Sequence, residues 1–309
     1  MNYYDALDTI IRQDIGGRGL LPSLPPSPLR ETADSLARDR RVILLTGFPV
    51  RLADGNVRGE TDGPSGTANL AAALTGIGCG VSVITDWISY PLMEAALRFR
   101  APQAMLIRLP RQNTDDFIQS FMKDANPTHL ISLERPGKAR DGHYHNMRGE
   151  IIDDMLTDSS AFLREARKNG TEIISIGDGG NEMGMGTFSR QILENVPFGE
   201  TICAAECADL TLAGGVSNWW GWGLASLLSV MTGRFLLPTE KEETQLLQKV
   251  VSAGGVDGCT KQSELTVDQI SLEGNLEILR SIIKLTAART GFCPFHSEDT
   301  PAQQLLKNK

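Results

Sequence analysis

The feature that most restricts this chain is an alternation of six short apolar runs with segments of helical period. The runs are Val42–Thr46, Val81–Thr85, Ala104–Arg108, Leu130–Leu133, Glu172–Ile176 and Leu210–Ala213. Between them lie helical patterns near Thr67–Thr75, Pro91–Arg100, Thr114–Lys123, Met155–Asn169 and Asn218–Thr232. Strands with little internal polarity, each followed by a helix, predict βαβ units and a mostly parallel sheet with helices on both faces. The expected class is therefore α/β, three-layered and Rossmann-like, with right-handed crossovers. The C-terminal third, Thr239 to Leu306, reads as a further helical layer. Before the first strand, an amphipathic opening (Ala6–Ile15), Gly16-Gly17-Arg18-Gly19, a proline-rich stretch and a short helix (Leu29–Asp39) predict an arm and lead-in over residues 1–40. Residues 41–309 are expected to form one domain.

Parallel sheets bind ligands outside the carboxyl ends of their strands. The notable polar clusters of this chain fall at those ends: Gly47-Phe48-Pro49, Asp86, Arg108, Glu134-Arg135-Pro136-Gly137, Asp178 and Gly214-Gly215. Gly59-Glu60-Thr61-Asp62-Gly63-Pro64 pins two carboxylates between glycines and a proline, an oxygen supply suited to a hard divalent cation such as Mg2+ or Mn2+. The same residues also read as an N-cap and turn with solvated acids. Gly177-Asp178-Gly179-Gly180-Asn181-Glu182 leaves room for backbone to approach a ligand while Asp178, Asn181 and Glu182 supply oxygens. Its spacing is neither a dinucleotide fingerprint nor a P-loop.

A third segment runs from Glu134 and Arg135 through His143, Tyr144, His145, Asn146 and Arg148. Arg135 and Arg148 suit a carboxylate or phosphate, Tyr144 a proton or hydrogen bond, and the two histidines allow metal binding without requiring it. An ordered loop with satisfied polar groups is the plain alternative. Gly214-Gly215-Val216-Ser217-Asn218 supplies another helix N-terminus receptive to an anion, and the adjoining Trp219-Trp220 pair reads as core. Asp257 and Lys261 are placed to close the site from the C-terminal layer, or to form a helix cap and turn. No G-x-S-x-G elbow and no H-E-x-x-H occur, so a lipase-like esterase and a zincin are unsupported.

A net charge of −8 argues against nucleic acid and anionic membranes as partners. The most apolar stretch, Trp219–Met231, falls short of the roughly 20 residues a bilayer requires. Five scattered cysteines, with Cys203 and Cys207 lacking a second pair, predict reduced thiols. The N-terminus carries acids and no signal pattern. A soluble cytoplasmic protein is expected, with a small anionic substrate and a homodimer as its assembly.

Thr46-Gly47-Phe48-Pro49, Glu60-Thr61-Asp62-Gly63-Pro64, Glu134-Arg135-Pro136-Gly137, Tyr144, Asn146-Met147-Arg148-Gly149 and Gly177 to Gly186 together resemble the D-glutamate cyclase-like C-terminal domain family, from about Val42 onward. The resemblance implies a lyase that closes D-glutamate to 5-oxo-D-proline with loss of water. In animal members this region follows a hydro-lyase-like domain, which is expected to be lacking here. On chemical grounds Glu134 and Glu182 are candidate general bases, and Arg135, Arg148 and Tyr144 complete the catalytic set. Glu60, Asp62, Asp178 and Asn181 are the candidate ligands of a Mn2+ or Mg2+ ion. Gly47, Thr61, Gly63, Asn146, Gly179, Gly180, Ser217 and Asn218 are the expected substrate-binding positions. A Mg2+- or Mn2+-dependent phosphohydrolase and a non-catalytic ligand-binding domain are the competing readings.

Overall fold

The computed structural model describes residues 2–36 and 41–292. In chain order its elements are α1 (Tyr3–Ile11), α2 (Leu29–Leu36), β1 (Arg41–Thr46), the hairpin β2 (Pro49–Arg51) and β3 (Val57–Gly59), α3 (Pro64–Gly76), β4 (Gly80–Thr85), α4 (Tyr90–Arg100), β5 (Met105–Arg108), α5 (Thr114–Ala125) and β6 (His129–Leu133). There follow α6 (Ala161–Asn169), β7 (Glu172–Gly177), α7 (Ser189–Asn195), α8 (Gly199–Ile202), β8 (Leu210–Ala213), α9 (Ser217–Thr232), α10 (Glu240–Ser252), the hairpin β9 (Thr266–Val267) and β10 (Ile270–Ser271), and α11 (Leu272–Thr290).

Six strands form one sheet in the order β5-β4-β1-β6-β7-β8, and every adjacent pair is parallel. Numbered among themselves, they run 3-2-1-4-5-6, the doubly wound order whose switch point lies between the first and fourth strands. Here those strands are β1 and β6, paired from Val42↔His129 to Thr46↔Leu133. Alternate residues of β1 face opposite layers, as a period of two requires. Val42 and Leu44 join the core under α1, α3, α9 and α11, whereas Ile43 and Leu45 join Ile118, Met122, Phe162 and Ala166 of α5 and α6.

All six predicted strands are present to within a residue. The helix expected from Met155 begins only at Ala161, after a single 3-10 turn at Asp153–Met155. The cause is Asp158, whose Oδ1 accepts from Ser160 N and Ser160 Oγ and turns the chain there. α3 starts at Pro64, earlier than expected, because proline suits a first helical turn. The lead-in lies on the body instead of standing away from it. Leu7 and Ile11 of α1 are fully buried in the main core, and Leu20 and Leu21 pack with Met185 and Ile192. The predicted helix end at Asp39 and the helical tail past residue 292 fall outside the described residues. Among the described residues, no helix is long and apolar enough to cross a membrane.

α3 and α9 begin side by side at the carboxyl edge of the sheet and cap one another. Asn218 Oδ1 accepts from Gly63 N (3.0 Å) and Gly66 N (2.6 Å) at the start of α3. Asp62 accepts from Ser217 N (3.0 Å) and Asn218 N (2.8 Å) at the start of α9. Glycines make this approach feasible: a Cβ on Gly66 would lie 2.6 Å from Asn218 Cα, and one on Gly221 would strike the backbone of Gly66. Replacing Gly221 with valine is therefore expected to destabilise the chain by about 2 kcal/mol or more, since backbone cannot yield as a side chain does. Urea unfolding should show a lower midpoint with an unchanged slope.

Candidate functional site

Three strand ends and two returning segments enclose a cavity of about 230 Å3 at the switch point. Phe48 follows β1, Glu134 follows β6, and Asp178, Asn181 and Glu182 follow β7. Gly258, Cys259, Lys261, Asp268 and Gln269 come from the loop and hairpin before α11, and Arg18 from the N-terminal segment. Pockets for small ligands usually hold roughly 300–1,000 Å3, so this one suits a compact metabolite.

The chemistry of the cavity is set by carboxylates. Asp62, Glu134 and Asp178 each place an oxygen within 4.8 Å of the others, and all three are buried. Glu60, Glu182 and Asp268 lie close by. Glu134 has φ +48°, and of the seven non-glycine residues with positive φ among those described, Glu134, Lys261, Asp268 and Gln269 line this cavity. Strain concentrated at one pocket is a mark of function. At Glu134 it is held by Gly47 N donating to Glu134 O (2.9 Å) and Glu134 N donating to Ile176 O (3.2 Å). Glu134 Oε2 is buried without a hydrogen-bond partner. A carboxylate with an orphaned oxygen beside two more carboxylates could hold a cation.

Burial, followed by the like charges of Glu182, Asp62 and Glu60, pushes Glu134 well above the usual carboxyl range. Burial and then Asp268 and Asp62 push Glu60 the same way. Asp62 is pushed up to about 8, by burial first and Asp268 next. The counter-charge nearest the cluster is Arg18. Its guanidinium pairs with Asp178 Oδ1 and with Asp268 Oδ2 at 2.9 Å. Burial alone would lower the Arg18 pKa, but Asp268, Glu134 and Glu182 outweigh it and raise it. Lys261, lowered by burial, lies on the Glu60 side.

The structure brings together most of the residues singled out in the sequence and separates others. Glu60, Asn146, Arg148, Asp178, Asn181 and Glu182 line the cavity with Glu134. Glu134, expected as a base, stands with Asp62 and Asp178 in the acidic triad, of which Glu60 is not a member. The amide of Asn181 donates to His145 O (2.8 Å). Glu182 accepts from three backbone donors, Asp178 N (3.0 Å), Gly179 N and Gly180 N (2.7 Å each), which engages both of its oxygens. Arg135 does not line the cavity: it is fully buried and bonded to Asp86 Oδ2 (2.6 Å), Thr157 O, Ser159 Oγ and Gly47 O. Tyr144 likewise turns away, its hydroxyl donating to Asp158 Oδ1 (2.7 Å). Thr61 is tied to Val256 O and Thr266 O, and Gly47 and Gly63 act through their backbones.

The helix ends expected to receive an anion are occupied from within. Ser217 N, Asn218 N and Gly63 N are taken by Asp62 or Asn218. Asp257 organises the hairpin loop, accepting from Cys259 N, Thr260 N and Gln269 N, and Lys261 reaches the cavity. His143 and His145 pair instead with Asp153 (2.7 Å) and Asp141 (2.9 Å). Trp219 and Trp220 are fully buried, as expected of core, and the four cysteines described are free thiols. Arg18, Asp268 and Gln269 were not foreseen. The glycines around Arg18 were the available signal, legible in the sequence only as helix breakers.

Fold and site together define a Rossmann-like domain with a buried acidic centre at its switch point. The chain belongs to the D-glutamate cyclase-like C-terminal family, whose model matches residues 7–283. The match thus takes in the lead-in, which the sequence motifs had left out. The chain is also 30% identical, over 97% of its length, to human mitochondrial D-glutamate cyclase. It spans half the length of that relative.

A carboxyl whose folded pKa exceeds its unfolded value contributes stability that is whole below the unfolded value and is lost as pH rises through the folded one. With Asp62 raised from 3.8 to about 8, and Glu60 and Glu134 raised as well, thermal stability without divalent ions is expected to fall between about pH 4 and 8. Asp62→Asn should flatten that slope. Calorimetric melting across this window checks both; a melting temperature that climbs with pH contradicts them.

Proposed function

We propose that this chain binds a divalent cation, Mn2+ or Mg2+, on Asp62, Glu134 and Asp178, and serves as a lyase domain acting on D-glutamate. The observation that carries the reading is the buried carboxylate of Glu134, whose Oε2 lacks a hydrogen-bond partner and which has an oxygen within 4.8 Å of those of two further carboxylates. Family membership and the name of the human relative direct the choice of substrate. The small cavity, with Arg148 and Lys261 in its walls, supports a compact anion as ligand. Arg135, spent on Asp86, is released from the substrate-binding role. The cytoplasmic setting and the homodimer expected from the sequence remain part of the proposal.

Ring closure joins the amine nitrogen of D-glutamate to its γ-carboxyl carbon and breaks one C–O bond. The ammonium gives up two protons, and both leave with the departing oxygen as water, so the atoms balance. A bound cation would withdraw electron density from the γ-carboxyl group. Glu60, raised by burial and outside the acidic triad, is suited to take a proton from the amine and return it to the leaving oxygen. Arg148 and Lys261 would hold the carboxylate that does not react. Glu182 keeps the 178–180 backbone in place. The capped ends of α3 and α9 weigh against a phosphate there, and so against the phosphohydrolase.

Purified protein with Mn2+ is expected to convert D-glutamate to 5-oxo-D-proline, followed by chromatography. Glu60→Gln should still bind Mn2+ while turnover drops on the order of 10²–10⁴-fold, the usual weight of a general acid–base group. Glu134→Gln should lose both. Unchanged D-glutamate together with hydrolysis of a phosphomonoester would overturn the lyase reading and favour the phosphohydrolase.

A further inference from the structure

Arg18 is held in the cavity by a segment built to hold it. Gly17 and Gly19, at φ +64° and +83°, flank it, and Asp14 accepts from Arg18 N (3.1 Å) and Gly19 N (3.2 Å). On one side Ile11 O receives Gly215 N (2.9 Å); on the other Leu20 and Leu21 are buried. The backbone is thereby fixed on the body while the side chain, about a fifth exposed, reaches Asp178 and Asp268.

Asp178 has two claims on it. One of its oxygens belongs to the acidic triad, and its Oδ1 meets the Arg18 guanidinium. A guanidinium stays charged at every relevant pH, so a divalent ion on the triad would face a positive charge at close range. We propose that Arg18 is a tethered counter-cation that competes with the divalent ion for Asp178, so that occupancy of the triad and seating of the Arg18 side chain are antagonistic. This rests on the cation-site reading and adds a cost to it. Binding an ion requires Arg18 to give up Asp178, with Asp268 left as its remaining anchor. The coupling is reciprocal, as linkage demands: an ion loosens Arg18, and a seated Arg18 weakens the ion. The N-terminal segment would thus set the ion concentration at which the site fills.

Titration calorimetry with Mn2+ alone tests this in wild type, Arg18→Gln and Arg18→Lys. Arg18→Gln is expected to bind Mn2+ at least about tenfold more tightly than wild type, the least that removing one nearby charge should give at an effective dielectric near 20. Arg18→Lys, which keeps the charge on a more flexible stem, should fall between them. Equal or weaker affinity in Arg18→Gln overturns the competition while leaving the cation site standing. No binding in any of the three proteins overturns both. A measurement on wild type covers the case in which a variant fails to fold. Mn2+ should speed tryptic cleavage after Arg18, because the displaced side chain becomes available to the protease. Cleavage that is unchanged or slowed by Mn2+ counts against the proposal.

Discussion

The structure depends on buried carboxylates gathered where β1 and β6 diverge. Asp62, Glu134 and Asp178 share one small volume, and Glu60, Glu182 and Asp268 border it. Like charges at such separations cannot all ionise without compensation. Each acid must therefore hold a proton, meet a cation, or accept several hydrogen bonds. All three solutions are present. Glu182 takes backbone donors, Asp178 and Asp268 take Arg18, and Asp62 and Glu60 are pushed toward protonation.

This demand explains how the surrounding elements are arranged. In most doubly wound folds a helix N-terminus and a glycine-rich turn are left open for a ligand's phosphate. Here the protein supplies the anions itself. Asp62 caps α9, Asn218 caps α3, and the glycine loop after β7 closes around Glu182. Donors that would attract an external anion are consumed, and Asp62, which they anchor, is left with an oxygen within 4.8 Å of those of Glu134 and Asp178 in the acidic triad. Arg135 belongs to the same scheme one layer out. Its bonds to Asp86, Gly47 O and Thr157 O brace the β1 and β6 loops, and Gly47 N in turn holds Glu134 in its left-handed conformation.

What was legible in the sequence divides along physical lines. The strands were readable because Val42 and Leu44 on one sheet face, and Ile43, Leu45 and Leu130 on the other, report burial on both faces through local pattern alone. Glu134 and Asp178 were readable as neighbours at the cavity because a strand's carboxyl end fixes where the next side chain emerges. The distinction between Arg135 and Arg148 was not readable. Both suit a carboxylate by chemistry, and only the tertiary position of Asp86 decides that Arg135 is spent within the fold. The backbone partners of Glu182 were hidden for a similar reason: an acid after several glycines looks free until the loop folds back to donate to it. Arg18 lay furthest from reach, since its partners sit about 160 and 250 positions away and its flanking glycines carry no partner information.

The balance of charge also bears on why a site of this kind would be built with an arginine inside it. A cluster neutralised only by protons would change charge across the physiological pH range, because Asp62 lies near 8, and its geometry would follow the pH. A cluster neutralised only by a divalent ion would carry the full desolvation cost of unpaired carboxylates whenever the ion is scarce. A guanidinium on a fixed segment removes both liabilities: its charge does not titrate, and its local concentration does not fall. On the competition proposed above, the same permanence would oppose any ion, and the site would trade affinity for stability. The weight of that trade would then fall on Asp268, the second carboxylate paired with Arg18, at 2.9 Å.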